Sequence, residues 1–532
     1  MQQFNNYIIR NKLEKKPYQV EGIEWCIDIE NNGRMINKKY VRGGILSDEM
    51  GLGKTIQMIG LILSSFKKRT MIVVPRSLLE QWNSIIKNTL GHEVVQYHGL
   101  KAKKIDFDTL SNSPIVLTTY GMMSKHKEKP KKGEKIVFGE LHELMWDRVI
   151  YDEAHHLRNR KTINHLAAVA LKSSHTWLVT GTPIQNSMTD FYGLCAVLGI
   201  EQQFYTRREN IEILSRELIL KRTKEDVGIV LPELRWHNVI VEWEGDEERQ
   251  LAEDIHAHLQ FSRACMRENN SFSSLGMHYF AMIQKAKQSC IDMSMFKTSI
   301  NNLVNLGIMK NDSSINKALT YKSKTNKVIK TLLERKDNDR AKLVFCHYHK
   351  EIDTIASRLT DCGINVATFD GRTKRSKRND ILTDKTIKVL ILQIRTGCEG
   401  LNLQQFSEVY FVSPNWNPAM EDQAVARCHR IGQTCETDVF RFTMTSFDSA
   451  CLTRTIDSYT TDIQTLKRFK MKELERNKIE KGDKLEDDCP ICFEEQHENT
   501  VHKLECGHCF HIECVNEWLK INASCPMCRK AV

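Results

Sequence analysis

The sequence contains no long hydrophobic run. No stretch of about 18 consecutive apolar residues, the length that a helix needs to cross a bilayer, occurs in its 532 residues. It also opens without the basic start, apolar stretch and small-residue cleavage site of a secretory leader. We therefore expect neither a membrane span nor secretion, and no membrane partner.

Cysteine is plentiful, but its distribution does not predict disulfides. Seven of the 17 cysteines crowd between Cys489 and Cys528 at metal-like spacing, and the others are scattered through apolar stretches. This distribution favours a reducing compartment.

Length and charge set further bounds. The length favours roughly three or four domains, and 41% hydrophobic residues suffice for their cores. The net charge is +10, from 77 basic and 67 acidic residues. Basic residues cluster at 101–104, 125–135 and 372–378. These runs are compatible with a polyanionic partner, although charge runs are also ordinary solvated surface.

The segment that organises the chain is Asp48–Thr55, whose pattern is typical of a phosphate-binding loop. The strand-like run Gly44–Leu46 precedes it. Apolar residues follow it at helical spacing, namely Ile56, Ile59, Leu63 and Phe66. The pattern therefore predicts a strand, a glycine loop and a helix in succession.

Four residues of the loop would have a physical role in such a cradle. Gly51 and Gly53 allow the tight turn that points successive N–H groups at a phosphate, with the positive end of the helix behind them. Lys54 would reach the β- and γ-phosphates, and the Thr55 hydroxyl would bind Mg²⁺. Asp48 replaces the first glycine of the G-x-x-x-x-G-K-[ST] pattern. Because similar spacing occurs in ordinary turns, the loop alone does not decide the function.

An acidic pair follows the strand-like run Arg148–Tyr151. Carboxylates at the end of a buried strand are costly unless a cation or a reaction needs them. Asp152 would hold Mg²⁺, and Glu153 would orient and deprotonate the attacking water. The alternative interpretation is an acidic helix N-cap.

Two more segments belong to this half of the chain. The strand-like run 176–180 leads into Gly181–Asn186, whose hydroxyl groups would sense the γ-phosphate, although Gly-Thr-Pro is also a common turn. Upstream, the amide of Gln19 offers a donor and an acceptor to the edge of adenine, although a glutamine there is more often at the surface. The alternation of strand and helix patterns predicts parallel βαβ units.

A second series of strands starts at Lys342–Cys346 and has no phosphate loop of its own. This arrangement favours one ATP held between two lobes. Arg427 and Arg430 lie three residues apart, which predicts that they share one face of a helix. Their guanidinium groups would meet the γ-phosphate as arginine fingers. Arginines at this spacing are also common on a plain surface.

Four segments resemble the motifs of Swi/Snf-like DNA-dependent ATPases, within the superfamily-two helicase-like proteins. They are Asp48–Gln57, Asp152–His155, Thr180–Asn186 and Gln423–Gln433. The resemblance implies an α/β fold with two tandem RecA-like lobes and helical insertions. It also implies ATP and Mg²⁺ as cofactors, and double-stranded DNA, with nucleosomes as a further candidate, as the partner.

The same resemblance assigns roles in the second half. Gly400 and Gln423 join Arg427 and Arg430 in the nucleotide-binding set. The loop 396–403 would touch DNA phosphates through its threonine and backbone, although Cys398 stands where many relatives have glycine. Members of this family generally translocate on duplex DNA, and strand separation is not implied.

The carboxyl-terminal segment carries eight soft or borderline metal ligands in four pairs. They are Cys489, Cys492, Cys506, His508, His511, Cys514, Cys525 and Cys528. The set suits two tetrahedral Zn²⁺ sites. A segment this short needs bound metal ions as cross-links to fold. Spacing alone leaves Cys509 open as a ligand.

This segment resembles a RING domain of the two-histidine type. The resemblance implies cross-bracing, with the first and third pairs on one zinc and the second and fourth on the other. It places Ile491, Trp518 and Pro526 in an apolar patch that binds a ubiquitin-conjugating enzyme, and Arg529 against the conjugated ubiquitin. Each residue is also compatible with plain packing of a zinc domain.

The expected fold class is therefore α/β, with a small zinc-bound α+β RING domain at the end. The expected divisions are 1–235 for the first RecA-like lobe, 236–322 for helical protrusions and linker, 323–446 for the second lobe, 447–485 for a helical brace and linker, and 486–532 for the RING.

The expected function is an ATP-dependent double-stranded DNA translocase, acting in remodelling, repair or transcription, with RING-type ubiquitin ligase activity. The alternatives are a motor whose RING only docks a partner, an inactive scaffold on DNA or chromatin, and RNA as the track. The combination resembles the branch that contains the helicase-like transcription factor and fungal DNA-repair proteins, but there the RING lies between the lobes. We expect a nuclear location, or a cytoplasmic replication site if the Asn-, Lys- and Ile-rich composition reflects a large DNA virus.

Overall fold

The computed structural model describes residues 2–11, 13–90, 94–127, 136–181, 188–207, 209–257, 283–297, 301, 313–394, 401–447, 454–475, 484–491, 495–497, 501–528 and 530–531. The chain divides into two compact units, Met1–Leu231 and Pro232–Val532.

The first unit is built on a seven-stranded parallel sheet that follows a short antiparallel pair. The pair is β1 (Arg34–Ile36) and β2 (Lys39–Val41), and the sheet strands are β3 (Gly43–Leu46), β4 (Thr70–Val74), β5 (Val95–Tyr97), β6 (Ile115–Thr119), β7 (Trp146–Asp152), β8 (Ser173–Val179) and β9 (Ile219–Leu220). Across the sheet their order is β5-β6-β4-β7-β8-β3-β9. Because all pairs are parallel, the carboxyl ends of β3, β8 and β7 meet at one edge.

Consecutive residues of the central strands face opposite sides of this sheet. Met71 and Val73 of β4 belong to one apolar core, and Ile72 and Val74 belong to the other. Both faces are covered by helices, as parallel connections require. The central strands are therefore continuous apolar runs rather than alternating ones.

Eleven labelled helices surround the first sheet in the part of the chain that the structure describes. They are α1 (Gln2–Arg10), α2 (Pro17–Asn32), α3 (Lys54–Ser64), α4 (Leu79–Leu90), α5 (Gly99–Ala102), α6 (Phe107–Asn112), α7 (Tyr120–Met123), α8 (Ile163–Ala170), α9 (Met188–Val197), α10 (Gln202–Tyr205) and α11 (Glu209–Leu218). Helix α2, which also precedes the loop, begins with proline, whose missing N–H costs nothing in a first turn.

Helix α3 ends earlier than its apolar spacing predicts. Ser65 leaves the helical conformation, its hydroxyl donates to Glu30, and its carbonyl accepts from Arg148. Phe66 then lies outside the helix and is 74% exposed. The helical spacing predicted through Phe66 is therefore wrong at its last residue, because tertiary bonds at Ser65 end the helix.

The second unit contains a six-stranded parallel sheet. Its strands are β10 (Leu234–Val241), β11 (Ala341–Cys346), β12 (Val366–Phe369), β13 (Val389–Gln393), β14 (Phe406–Phe411) and β15 (Thr437–Met444). Their order is β10-β15-β14-β11-β13-β12. The whole of β10 pairs with β15. The boundary between the units, after Leu231, precedes the expected division at 235, and residues 236–241, expected within the segment of helical protrusions and linker, form part of a strand.

The helices of this unit are α12 (Asp246–Ala257), α13 (Ser313–Ala318), α14 (Ser323–Glu334), α15 (His349–Asp361), α16 (Arg375–Thr383), α17 (Pro418–Val425) and α18 (Ile456–Glu475), with a further helix at 283–291. The carboxyl-terminal segment contains the hairpins β16 (Lys484–Asp488) with β17 (Glu495–His497) and β18 (Val501–Lys503) with β19 (Cys509–His511), followed by α19 (Ile512–Ile521).

No helix among the described residues combines the length and the apolarity that a bilayer crossing requires.

Candidate functional site

The loop between β3 and α3 has the geometry of a phosphate cradle. Gly51 and Gly53 have φ values of 95° and 78°, a region that L side chains rarely adopt. Gly53 caps α3, so the first N–H groups of the helix open towards the loop. A Cβ on Gly53 would also lie 2.5 Å from the amide nitrogen of Gln19. The predicted order of strand, loop and helix is the order in the structure.

The Lys54 amine lies over this loop. Its Nζ donates to the carbonyl oxygens of Asp48 at 2.6 Å and Glu49 at 3.3 Å. A Cβ added to Gly181, just beyond β8, would lie 3.5 Å from the same nitrogen. Thr55 follows as the second residue of α3 and is half-buried. The amine is thus placed where β3 and β8 both end.

The Asp48 carboxylate is completely buried. Arg222 donates to its two oxygens from Nε at 3.0 Å and from an Nη at 2.6 Å, and the Gln57 amide donates at 2.9 Å. Arg222 also donates to the Tyr18 carbonyl at 2.5 Å. The Asp48 side chain therefore fixes the loop to α2, α3 and the segment after β9, while the Asp48 carbonyl accepts from Lys54.

Gln19 is buried against the loop rather than at the surface, with 5% exposure. Its amide nitrogen donates to the Leu52 carbonyl at 3.2 Å. The side chain thus lies beside the phosphate loop, which is the position that the adenine-reading hypothesis needs.

Asp152 ends β7 in a buried position. The Trp82 indole donates to one carboxylate oxygen at 2.7 Å, and the N–H of Glu153 donates to the other at 3.0 Å. Burial, followed by the nearby Glu153 charge, raises the pKa of Asp152 to about 6, although these hydrogen bonds and Lys54 oppose the shift. An anionic pair held in this way is under-compensated, and a hard divalent cation fits its oxygen donors.

Glu153 adopts a strained backbone conformation. Its φ is 52°, in the left-handed region, which costs a non-glycine residue about 1–3 kcal/mol and is typical of functional positions. Its carboxylate lies 3.3 Å from Nδ1 of His155. This left-handed conformation turns the chain sharply after β7, so Asp152 and Glu153 both lie at the edge of the sheet.

Three residues that support this site were missed in the sequence. Arg222 anchors Asp48. Trp82 and Tyr120 hold Asp152, the second through a 2.7 Å bond from its hydroxyl to the Asp152 carbonyl. Each lies far from its partner in the sequence, so local pattern carried no signal for it.

The turn Thr182–Asn186 and Gly400 lie outside the described residues. In the second unit, Gln423 is buried in α17. The arginine pair differs from expectation, because α17 ends at Val425 and neither arginine is helical.

The backbone carbonyls after α17 bond outside the helical pattern. The carbonyl of Arg427 accepts from the N–H of Leu403, and that of Cys428 accepts from the Gln433 side chain. Arg430 is half-buried, and its Nε has no hydrogen-bond partner among the described residues. Burial and the neighbouring Arg427 charge lower the pKa of Arg430. Two crowded, partly desolvated guanidinium groups fit an anionic group.

The carboxyl-terminal ligands form two groups. Cys506, His508, Cys525 and Cys528 have ligand atoms within 4.8 Å of one another, and so have Cys489, His511 and Cys514. A backbone hydrogen bond from His508 lowers the pKa of the Cys506 thiol to about 6, which favours the thiolate that a metal needs. Cysteine and histidine donors in such groups fit Zn²⁺.

This grouping agrees with the cross-braced pairing that the resemblance implied. Cys492 lies outside the described residues, as does Arg529. Cys509 belongs to neither group, and its thiol faces the Gly507 carbonyl. Ile491 and Trp518 are buried in the apolar core of this domain, while Pro526 is half-buried.

The basic runs differ in what they offer to a polyanion. Lys101, Lys103 and Lys104 are exposed. Arg372 is instead paired with Asp353 and Asp370 at 2.7 and 2.6 Å. Most of the run 125–135 lies outside the described residues.

Three family profiles match the chain. The SNF2-related domain matches residues 18–295, the helicase conserved C-terminal domain matches 323–432, and the Ring finger domain matches 487–529. The first alone covers more than half of the chain.

Known proteins show the same similarity at low identity. The chain is 26% identical to the probable global transactivator of Orgyia pseudotsugata multicapsid polyhedrosis virus, over 80% of the chain and 85% of that protein. It is 25% identical to CHROMATIN REMODELING 19 of Arabidopsis thaliana, over 80% of the chain and 65% of the relative. It is 26% identical to the DNA excision repair protein ERCC-6-like of Danio rerio, over 80% of the chain and 34% of that protein. The chain thus spans less than two thirds of the latter two.

Among solved structures, the SWI2/SNF2 ATPase core of Sulfolobus solfataricus in complex with double-stranded DNA is similar at 21% identity and a TM-score of 0.37. The similarity covers 87% of this chain and 97% of that one.

We predict that Arg222→Ala destabilises the first unit by about 3–5 kcal/mol, because it leaves the Asp48 carboxylate buried without its ion-pair partner. The measurement is thermal unfolding by calorimetry, together with the affinity for ATP. Arg216→Ala is the matched control, since Arg216 is largely exposed beside Glu217 and its loss should cost less than about 1 kcal/mol. The double variant Asp48→Asn with Arg222→Met should recover part of the loss, and a double variant worse than the sum of the single ones would contradict the ion-pair explanation.

We predict two zinc ions per chain by mass spectrometry of the metal content. His508→Ala should lower the content to one, because it removes a donor from one group only. Cys509→Ser should keep both ions, since Cys509 lies outside both groups. A loss of zinc in Cys509→Ser would show that the ligand assignment is wrong.

Proposed function

The chain belongs to the SNF2-related family of helicase-like ATPases, and on that premise we propose that it is an ATP-dependent translocase on double-stranded DNA with a RING-type ubiquitin ligase. Relatives named for chromatin remodelling and excision repair support a role in remodelling or repairing protein–DNA complexes. A nuclear location fits those relatives, and the viral relative keeps a viral replication site as the alternative.

The observation that carries the motor proposal is the meeting of Lys54 with Asp152 and Glu153 at one sheet edge, although about a hundred residues separate them. Lys54 and the loop N–H groups bind the β- and γ-phosphates. Glu153 orients the attacking water and accepts its proton. Thr55 and Asp152 would hold Mg²⁺, which when bound neutralises charge on the phosphates.

The second unit contributes positive charge to the proposal. Arg427 and Arg430 bind the γ-phosphate, for which their crowding and partial burial are suited. Gln19 reads adenine beside the loop. The exposed lysines at 101, 103 and 104 fit a phosphate backbone, so binding should depend steeply on salt and little on sequence.

The ligase proposal rests on the zinc-ligand groups and on the apolar residues beside them. Ile491, Trp518 and Pro526 bind a ubiquitin-conjugating enzyme, and Arg529 holds the conjugated ubiquitin. The alternative, a RING that only docks a partner, shares the same fold and differs only in whether ubiquitin is transferred.

We predict that duplex DNA raises ATP turnover sharply and that Lys54→Ala and Glu153→Gln each lower the stimulated rate by about a hundredfold or more, because each removes a group acting on the transferred phosphate. Lys68→Ala, an exposed lysine after α3, is the matched control and should keep full turnover. Phosphate release with duplex DNA, duplex RNA or no nucleic acid is the measurement. Equal turnover in all three conditions would exclude a nucleic-acid-driven motor.

We predict that the full chain builds ubiquitin chains with at least one of a panel of conjugating enzymes. Ile491→Ala should abolish both binding and synthesis, whereas Arg529→Ala should keep binding and lose synthesis, because the two residues hold different partners. Zinc content is measured in both variants to show that the RING is intact. Binding without synthesis in the unaltered chain would favour the docking alternative.

A further inference from the structure

Two of the RING residues proposed to bind the conjugating enzyme, Ile491 and Trp518, are almost completely buried. Ile491 is 2% exposed and Trp518 is 4% exposed. Both belong to one apolar cluster with Leu504, Phe510 and Val515. A surface that docks a partner must be reachable, so what packs against this cluster from outside the RING decides whether a partner can reach it.

The cluster has a neighbour from outside the RING. Leu466, from the middle of α18, packs against it. Helix α18 belongs to the same compact unit as the RING. A residue of the helical brace thus packs against the apolar cluster that contains Ile491 and Trp518.

The opposite face of α18 is tied to the second sheet. Gln464 donates to the Asn415 carbonyl at 2.6 Å and to the Glu421 carboxylate at 2.7 Å, and Arg468 pairs with Asp422 at 2.8 Å. Gln464 and Arg468 are four residues apart and share a face, whereas Leu466, two residues from each, points to the other side.

The anchoring of α18 makes it a fixed platform. Near its start, Asp457 forms a buried ion pair with Lys324, which also donates to Ser413 at 3.0 Å. Glu421 pairs with Arg441 at 2.6 Å in addition to Gln464. Because these groups are buried, breaking them is costlier than separating the apolar contact at Leu466. The RING, rather than the helix, is therefore the part that leaves.

We propose that α18 occupies the conjugating-enzyme face of the RING through Leu466, so that the helix and a ubiquitin-conjugating enzyme compete for one apolar surface. This inference rests on the proposed ligase function and specifies its regulation. The ligase is held at low activity while the RING is docked, and it is released when the contact opens. Since burial of one leucine changes an equilibrium by about tenfold or more, the apparent affinity for a conjugating enzyme falls by a similar factor in the docked form.

The test compares the full chain with Leu466→Asp and, as a matched control, Ile463→Asp. Ile463 lies on the same helix, is half-buried and lies outside the RING cluster. The probes are a panel of ubiquitin-conjugating enzymes stably linked to ubiquitin, with affinity measured by titration and chain synthesis measured in parallel. Leu466→Asp should raise affinity and synthesis about tenfold, Ile463→Asp should leave both unchanged, and Leu466→Asp with Ile491→Ala should bind nothing.

The outcomes separate the two proposals. Equal binding by the full chain and Leu466→Asp, or an equal rise in Ile463→Asp, overturns the competition at Leu466 while the ligase proposal stands. Tighter binding by Leu466→Asp without chain synthesis supports the competition and overturns the ligase. Absence of binding in every variant overturns both.

Discussion

The buried ion pair between Asp48 and Arg222 is the contact on which the nucleotide half-site depends. It joins the loop after β3 to the segment after β9, and Gln57 of α3 and the Tyr18 carbonyl of α2 complete it. A carboxylate that is completely enclosed would be intolerable without this partner. The loop is therefore held in one position. That position fixes where the Lys54 amine and the N–H groups of α3 lie.

The second unit contains a similar buried ion pair, which is formed by Glu421. This buried carboxylate pairs with Arg441 of β15 and accepts from Gln464 of α18, and it lies in the helix that ends just before the arginine pair. Buried ion pairs of this kind contribute little net stability but penalise alternative arrangements. In both units a carboxylate joins three separate segments beside the residues that are proposed to bind the nucleotide.

The parts of the fold that could be predicted were those governed by short-range pattern. The strand before the loop, the loop and α3 were predicted because glycine, lysine and apolar periodicity lie within about twenty residues of one another. Arg222 could not be, since 174 residues separate it from Asp48 and only the sheet order brings them together. The helical placement of Arg427 and Arg430 was wrong because α17 ends at Val425, and the carbonyls of Arg427 and Cys428 then accept from the Leu403 N–H and the Gln433 side chain instead of from helical N–H groups. The strand β10 was missed for a similar reason, since its pairing with β15 overrides a weak local pattern.

Helix α18 brings the two proposed activities into one element. Its polar face holds α17, which ends two residues before Arg427, and Leu466 holds the apolar face of the RING. If docking of the RING stabilises the interaction between α18 and α17, then displacement of the RING weakens that interaction by the same free energy. The dependence is reciprocal, since a change that shifts α17 alters the platform that α18 offers to the RING. A single helix that contacts α17 on one face and the RING on the other is enough to couple α17 and the RING. A longer chain of contacts is not required.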